Sequence, residues 1–199
     1  MQVGFKNMRC GLIGEHLGHS FSKIIHAKIT DYSYELRELA PEEVGEFVKN
    51  GGFDAFNVTI PYKKAVIPYL DGISPEAERI GAVNTVVRRK DGSIHGYNTD
   101  YFGFDGMLRA SGIDPAGKKA VILGNGGASL TVQAVLVDRG AREIVVVDLG
   151  LENNYENIHR HYDADMIVNA TPVGMYPKNG ARLISLDEVK SCVGVLDVI

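Results

Sequence analysis

Residues 119–129 read KAVILGNGGAS, and this stretch decides the fold of the second half of the chain. It predicts a buried strand over 119–123, a tight glycine turn, and a helix over 128–139. A second apolar strand follows at 143–147. Strand, glycine turn, helix and strand form a βαβ unit, and such units build parallel sheets. Further strands of the same sheet are predicted at 165–170 and 193–198.

The glycine turn partly matches the dinucleotide fingerprint G-x-G-x-x-G, whose glycines let a pyrophosphate approach backbone N–H groups closely. Gly124 and Gly126 fill the first two positions, and Ser129 stands at the third. Asp148 ends the next strand, 22 residues after Gly126, where a carboxylate typically binds the adenosine ribose. The pattern predicts a dinucleotide site. The alternative is a turn that needs glycine for geometry alone, followed by an aspartate that caps a turn.

The first half of the chain also alternates between strand and helix patterns. Strands are predicted at 8–13, 32–39, 53–60, 83–88 and 93–97, the last two joined by the hairpin turn Asp91-Gly92. Helices are predicted at 20–30, from Pro41, from Pro61, after the cap Ser74, and from Asp100 to about Ser111. A break at 112–117 then precedes the βαβ unit. We therefore expect two α/β lobes.

Composition and charge exclude several classes of protein. Of the 199 residues, 45% are hydrophobic and 23% charged, which is ordinary for a globular chain. A net charge of −4 provides no field to attract nucleic acid. Because no apolar run has the length of a membrane span and residues 1–6 do not resemble a signal peptide, we expect a cytoplasmic protein without membrane partners.

Cysteine and histidine usage points away from disulfides and metals. Cys10 and Cys192 are far apart in sequence, and we expect two reduced, buried thiols. His16, His19 and His26 cluster near one end of the chain, but no histidine has the spacing to another ligand that a metal site requires. We therefore expect no metal.

Polar residues collect where the predicted elements of the first half begin or end. Two serines open the helix at 20–30, and Asn, Thr and Lys side chains follow the strand at 53–60. Amides, hydroxyls and a carboxylate stand at 84–85 and 98–100. This set suits a polyhydroxylated ligand, and a lysine near a carboxylate moves protons to or from a substrate oxygen. Taken singly, each cluster is explained equally well by helix caps, strand-end turns or solvated side chains.

Six ordered motifs make the chain similar to the shikimate dehydrogenase family, which includes the quinate/shikimate dehydrogenases. They are GHSFS at 18–22, NVTIPYK at 57–63, GAVNT at 81–85, GYNTD at 96–100, GNGGAS at 124–129 and NATPVGM at 169–175. The resemblance covers nearly the whole chain. It implies an N-terminal α/β substrate-binding domain over 1–101 and a Rossmann-like NAD(P)-binding domain over 102–199. It also implies NADPH-dependent reduction of 3-dehydroshikimate to shikimate, a chorismate-pathway step of aromatic amino-acid biosynthesis.

The same resemblance implies roles for individual residues. Lys63 and Asp100 match the catalytic pair, and Asp100 also matches a group that binds a ring hydroxyl. Ser20 and Ser22 match serines whose hydroxyls hold the substrate carboxylate. Thr59 and Asn84 match residues that bind the ring hydroxyls of the substrate. The expected cofactor residues are Gly124, Gly126, Gly127, Ala128, Asp148, Thr171 and Met175, the last two in a loop beside the nicotinamide.

The chain departs from the family pattern at positions that affect the choice of cofactor. Leu130 follows the glycine turn where the family usually has arginine, and no cation follows Asp148, where the family has a basic residue for the 2′-phosphate of NADP. A carboxylate suits the 2′-hydroxyl of NAD and repels a phosphate. Asp148 therefore favours NAD, whereas the resemblance implies NADP. Arg142, at the start of the strand, is a remote candidate for binding the phosphate.

Other departures concern the first helix and the length of the chain. Lys23 and Ala27 replace a usual proline and asparagine, whereas His26 is retained. The stretch 148–169 leaves room for little more than one short helix, and family members continue beyond residue 199 with further Rossmann elements. We expect a C-terminally incomplete or reduced family member, as a monomer or homodimer. The alternatives are a quinate/shikimate dehydrogenase that uses NAD, a Rossmann-linked lyase or transferase, and a non-catalytic ligand-binding fragment.

Overall fold

The chain forms two compact units, Met1–Thr99 and Asp100–Ile199. The computed structural model describes residues 7–18, 20–189 and 191–198. Some predictions made above lie outside the described residues: those for His19, for residues 1–6 and for the last residue of the chain. The domain boundary expected after residue 101 stays a prediction.

The first unit contains a six-stranded sheet in its described part. Its strands are β1 (Arg9–Gly14), β2 (Ser33–Glu38), β3 (Ala55–Val58), β4 (Gly72–Ile73), β5 (Thr85–Arg88) and β6 (Ile94–Tyr97). The strand order across the sheet is β2-β1-β3-β5-β6-β4. Parallel pairs join β1 to β2 and to β3, and antiparallel pairs join β3, β5 and β6. Its helices are α1 (Ser22–Ile29), α2 (Val44–Asn50) and α3 (Pro75–Ile80), with 3₁₀ turns at Pro41–Glu43 and Ile67–Tyr69.

Alternation along β1 builds a core on each face of this sheet. Cys10 and Leu12 pack into one cluster with Leu17 and Tyr34. Ile13 belongs to a larger cluster on the other face, which includes side chains from α2, α3 and the hairpin. Because side chains of a strand point alternately to opposite faces, an apolar run such as β1 indicates a strand covered on both sides.

The helix expected from Pro61 is wrong. Residues 61–66 form consecutive turns, although Tyr62 and Val66 are buried at helical spacing. The carbonyl of Lys63 accepts the backbone N–H of Val83 at 2.7 Å. A helix needs that carbonyl for a residue four positions on, so the pairing with Val83 prevents helical continuation.

The α1 helix is confirmed, but its apolar residues do not enter a core. Phe21, Ile24, Ile25 and Ile29 are all more than half exposed. The helix is attached instead through His26, whose ring stacks on that of Tyr34. Helical spacing of apolar residues therefore predicted the element but not the face that contacts the sheet.

The second unit contains a parallel four-stranded sheet in its described part, with strand order β10-β9-β7-β8. Its elements are α4 (Asp100–Ser111), β7 (Lys119–Leu123), α5 (Gly127–Asp138), β8 (Glu143–Val147), a 3₁₀ turn (Ile158–His161), β9 (Met166–Asn169) and β10 (Gly194–Asp197). Apolar clusters cover both faces of the sheet. This arrangement confirms the two-lobed α/β fold with a Rossmann-like second unit.

A buried lysine lies at the amino end of this second sheet. Lys119 is 5% exposed, and its Nζ lies 2.8 Å from Asp163 Oδ1 and 3.4 Å from Glu143 Oε1. Its backbone N–H donates to Asp165 at 2.7 Å. A buried ammonium is tolerated only when paired, and these carboxylates provide the pairing.

The cysteine prediction is confirmed in part. Both thiols are free, and Cys10 is buried, but Cys192 is only half-buried, so the expectation of two buried thiols is wrong for that residue. The described residues include no helix with the length and hydropathy that crossing a membrane requires.

Gly11 provides a test of the close packing at β1. A Cβ there would lie 2.6 Å from the Glu35 carbonyl oxygen and 2.4 Å from the Phe53 ring. We expect Gly11→Ala to lower the free energy of unfolding by about 1–3 kcal/mol, measured by urea denaturation. Gly18→Ala, in open space, is the control and should stay within about 0.5 kcal/mol of wild type. Equal stability of the two variants would contradict this packing.

Candidate active site

Loops that follow the parallel strands β1 and β3 lie side by side at the carboxyl edge of the first sheet. Thr59 directly follows β3, and its N–H donates to the carbonyl of Ile13 at 3.0 Å. A Cβ on Gly14 would come within 2.7 Å of the Thr59 methyl carbon. Glycine at the end of β1 thus leaves the space that Thr59 occupies.

The two serines meet at the start of α1. Ser20 Oγ accepts the Ser22 backbone N–H at 3.3 Å, and the Ser20 N–H donates to the Leu17 carbonyl at 2.9 Å. Ser20 therefore satisfies one helix N–H locally, as the capping interpretation proposed. That bond uses a lone pair of the hydroxyl oxygen, so the O–H hydrogen can still donate to a ligand.

Asn84 is a buried amide at the start of the hairpin. It is 7% exposed, and its Oδ1 accepts the Thr99 backbone N–H at 2.9 Å and the Thr85 hydroxyl at 3.1 Å. Its Nδ2 donates to Thr99 Oγ1 at 3.0 Å. The sequence correctly identified Asn84 as a polar residue at an element end, but it could not show that the amide fixes Thr99.

Asn57 is a residue of this network to which the sequence analysis gave no role. Its Oδ1 accepts the Tyr34 hydroxyl at 2.7 Å, and its Nδ2 donates to Thr85 Oγ1 at 3.2 Å. Thr85 in turn donates to Asn84 Oδ1. The available signal was an amide within the buried strand β3, where an unpaired polar group is costly.

The structure positions Lys63 and Asp100 through their backbones. Lys63 is half-buried in the turns after β3, where its carbonyl bonds to Val83. Asp100 is the half-buried first residue of α4 and directly follows Thr99, which Asn84 anchors. Their assignment as a catalytic pair stays a prediction.

In the second unit, the two glycines of the fingerprint serve different purposes. Gly124 has φ +100°, and a Cβ there would lie 2.7 Å from the Thr171 methyl carbon and 3.1 Å from the Ala170 carbonyl oxygen. Gly126, exposed at the start of α5, has ordinary backbone angles, and a Cβ there would meet no described atom within 4 Å. The fold therefore requires glycine at Gly124, whereas the space around Gly126 is open.

The amino end of α5 fits the pyrophosphate of a dinucleotide. Gly127 and Ala128 form its first turn, and within the described residues no side chain caps it. Ser129 is fully buried, which meets the requirement for a small residue at the third fingerprint position. Backbone N–H groups and the helix dipole there favour an anion.

Asp148 shapes the glycine turn. Its Oδ2 accepts the Asn125 backbone N–H at 2.7 Å, and its Oδ1 accepts the Leu149 N–H at 2.6 Å. Burial, together with the negative charge of Asp148, raises the pKa of Tyr155. The carboxylate therefore has a structural task besides any contact with a ribose.

Arg142, the remote candidate for binding the 2′-phosphate, pairs with a carboxylate at the other edge of the sheet. Arg142 precedes β8, and its guanidinium lies 3.8 Å from Asp165 Oδ2. Asp165 also accepts the N–H of Lys119, the first residue of β7. Arg142 is thus held at the amino edge of the parallel sheet, whereas Asp148 follows its carboxyl edge.

Asn169 organises the loop that contains Thr171 and Met175. Its Oδ1 accepts the Thr171 hydroxyl at 2.7 Å and the Thr171 N–H at 3.1 Å, and its Nδ2 donates to the Val173 carbonyl at 3.1 Å. Met175 is 49% exposed. The sequence analysis included Asn169 in a motif without a role; here it holds the shape of the loop.

Among the described residues, no three His, Cys, Asp or Glu side chains are grouped so that they could hold a metal ion. The expectation of a metal-free protein stays a prediction.

Comparisons with known proteins agree with this geometry. A family model described as the shikimate dehydrogenase substrate binding domain matches residues 12–86. The protein named shikimate dehydrogenase (NADP(+)) from Clostridium beijerinckii is 38% identical over 209 residues, which cover 95% of this chain and 77% of the relative.

Solved structures give the same result. Shikimate dehydrogenase 1 from Peptoclostridium difficile is 38% identical with a TM-score of 0.85, over 96% of this chain and 77% of the other. Shikimate 5-dehydrogenase from Listeria monocytogenes, in complex with shikimate and NAD, is 29% identical with a TM-score of 0.82, over 100% of this chain and 81% of the other.

Gly126→Ala separates ligand binding from folding. Because the space around Gly126 is open, we expect stability within about 1 kcal/mol of wild type. Dinucleotide affinity, measured by calorimetry, should fall by roughly ten- to a hundredfold through loss of a close backbone contact with phosphate. Gly103→Ala, in open space on α4 of the same unit, should leave affinity unchanged. Undiminished affinity in Gly126→Ala would argue against this turn as the pyrophosphate site.

Proposed function

Because the chain belongs to the shikimate dehydrogenase family, we propose that it catalyses the reversible, NADP(H)-dependent reduction of 3-dehydroshikimate to shikimate. The family consists of oxidoreductases, and the observation that carries the proposal is a match to 77% of a shikimate dehydrogenase at 38% identity. The comparisons do not favour a quinate enzyme, a lyase or transferase, or a non-catalytic fragment. An assay of the purified chain with shikimate and each dinucleotide tests the proposal directly.

The proposed substrate residues combine neutral donors and acceptors. Ser20 and Ser22 donate hydroxyl hydrogens to the substrate carboxylate. Thr59 and Asn84 bind ring hydroxyls, and the bonds of Asn84 to Thr99 hold its amide in one orientation. A site whose polar groups are already held by neighbouring bonds loses less entropy when ligand binds.

We assign proton transfer in this reaction to Lys63. When bound, the reduced nicotinamide supplies the hydride to the carbonyl carbon. Negative charge then develops on the carbonyl oxygen, and the Lys63 ammonium donates a proton to it. The Asp100 carboxylate orients the lysine and a neighbouring substrate hydroxyl. In the oxidative direction Lys63 accepts the hydroxyl proton, so the same pair serves both directions.

The cofactor proposed is NADP(H), in agreement with the name of the relative from Clostridium beijerinckii. The preference for NAD that Asp148 favours in the sequence is not supported by that relative. Asp148 Oδ2 accepts the backbone N–H of Asn125 in the glycine turn, and Oδ1 accepts that of the next residue, Leu149. These bonds give the aspartate a structural task in addition to any effect of its charge on cofactor choice.

Cellular setting and assembly follow the same proposal. A biosynthetic dehydrogenase of this type is proposed to act in the cytoplasm on small molecules, as a monomer or homodimer, without nucleic-acid partners. The absence of a membrane-crossing helix among the described residues is consistent with this setting.

The role of Lys63 predicts a loss of turnover. We expect Lys63→Ala to lower kcat by roughly 10²- to 10⁴-fold because positioned proton transfer is lost, with KM for shikimate changed only a few-fold. Lys64→Ala, at the exposed neighbouring position, is the control and should retain kcat. Steady-state kinetics measure both variants, and near-normal turnover of Lys63→Ala would remove the lysine from the mechanism.

Cofactor choice is tested by removing one charge. We expect wild type to prefer NADP. In Asp148→Asn, the kcat/KM ratio of NADP to NAD should rise by about fivefold, the effect of roughly 1 kcal/mol between two charges about 4 Å apart in water. A wild-type preference for NAD would overturn the proposed cofactor. An unchanged ratio in the variant would show that Asp148 does not act on the 2′ position.

A further inference from the structure

The helix that presents Ser22 is held to the sheet by a histidine. His26 follows Ser22 by one helical turn, so the two side chains lie on the same side of α1. The ring of His26 stacks on that of Tyr34 in β2, with centroids 3.8 Å apart and planes 9° from parallel. His26 Nδ1 also lies 2.6 Å from the Tyr32 hydroxyl. An eight-residue helix is marginal alone, so these contacts determine where Ser22 lies.

Tyr34 is the buried centre of this arrangement. It is 7% exposed, and its hydroxyl donates to Asn57 Oδ1 at 2.7 Å. Burial raises the pKa of Tyr34. The tyrosine therefore stays protonated, and it contacts His26 through its ring and Asn57 through its hydroxyl.

The polar contacts continue from Tyr34 across the sheet. Asn57 Nδ2 donates to Thr85 Oγ1 at 3.2 Å, and Thr85 donates to Asn84 Oδ1 at 3.1 Å. Together with the stack of His26 on Tyr34, these contacts connect the helix that carries Ser22, assigned to the substrate carboxylate, with Asn84, assigned to a ring hydroxyl. They run from α1 through β2 and β3 to the first residue of β5.

We propose that Tyr34 is a positioning residue of the substrate site, held by its stack on His26, and that its hydroxyl fixes the separation between the two ends of the site. The inference rests on the proposed function, because Ser22 and Asn84 receive their ligand roles there. Tyr34 itself is buried. With its hydroxyl removed, Asn57 Oδ1 loses its donor, so the polar network that leads to Asn84 is no longer tied to β2 and must be ordered when substrate binds.

Tyr34→Phe tests this role because it keeps the ring and the stack and removes only the hydroxyl. We expect KM and Kd for shikimate to rise about tenfold, equivalent to about 1.4 kcal/mol, while kcat changes less than about threefold. Tyr69→Phe removes the hydroxyl of a more exposed tyrosine, on the 3₁₀ turn Ile67–Tyr69 of the same unit, and its KM should stay within about twofold of wild type.

Substitutions at His26 test the stack separately. His26→Ala should raise KM as Tyr34→Phe does, and His26→Phe, which retains an aromatic ring against Tyr34, should restore most of the affinity. Thermal unfolding of each variant is measured in parallel. A lower melting temperature with unchanged KM and Kd in Tyr34→Phe would make the tyrosine purely structural and overturn the proposal, as would a fall in kcat alone.

The binding measurement separates failure of this inference from failure of the proposed function. If wild type binds shikimate without turning it over, the proposed activity fails and the Tyr34 variants are judged on Kd. If wild type turns shikimate over and Tyr34→Phe has the same KM and Kd as wild type, only the positioning role is overturned. If wild type binds no shikimate, both are overturned.

Discussion

A buried amide must find a partner for each of its polar atoms, and Asn84 meets that requirement by joining two segments of the first unit. Its oxygen and nitrogen both bond to Thr99, so the residue before Asp100 is held to the start of the hairpin. Thr85 and Asn57 extend the same network towards β2. The candidate substrate groups are thus branches of one hydrogen-bonded network. Burying these polar side chains costs free energy, and their mutual hydrogen bonds offset that cost only when every member of the network is present.

Local sequence patterns predicted most elements of the fold because their determinants are local. The apolar runs at β1 and β7, the cap at Ser74 and the Asp91-Gly92 turn each specify an element within a few residues. The helix expected from Pro61 failed because the carbonyl of Lys63 bonds to Val83, twenty positions away in the chain. Long-range pairings of this kind have no local signature.

The candidate site could be predicted as a set of residues but not as a geometry. Motifs at the ends of predicted elements identified Ser22, Asn84 and the glycine turn, since ligands in α/β folds bind where elements end rather than within them. They could not reveal Tyr34, whose ring meets His26 only because α1 packs on β2. They also could not show that Asp148 accepts the backbone N–H of Asn125 and so bonds to the glycine turn.

The buried Lys119 has a consequence for how pH profiles are interpreted. Its hydrogen bond lowers the pKa of Asp163, so the carboxylate adds stability above its ordinary pKa and loses it as pH falls through the lowered value. Burial lowers the pKa of Lys119, but its bonds and charges with Asp163 and Glu143 outweigh burial and raise it. The ammonium therefore adds stability that is lost only as pH rises through that raised value. Between these acid and alkaline limits Lys119 and Asp163 both keep their charges, so this ion pair does not itself change the stability of the second sheet when turnover is measured across that range.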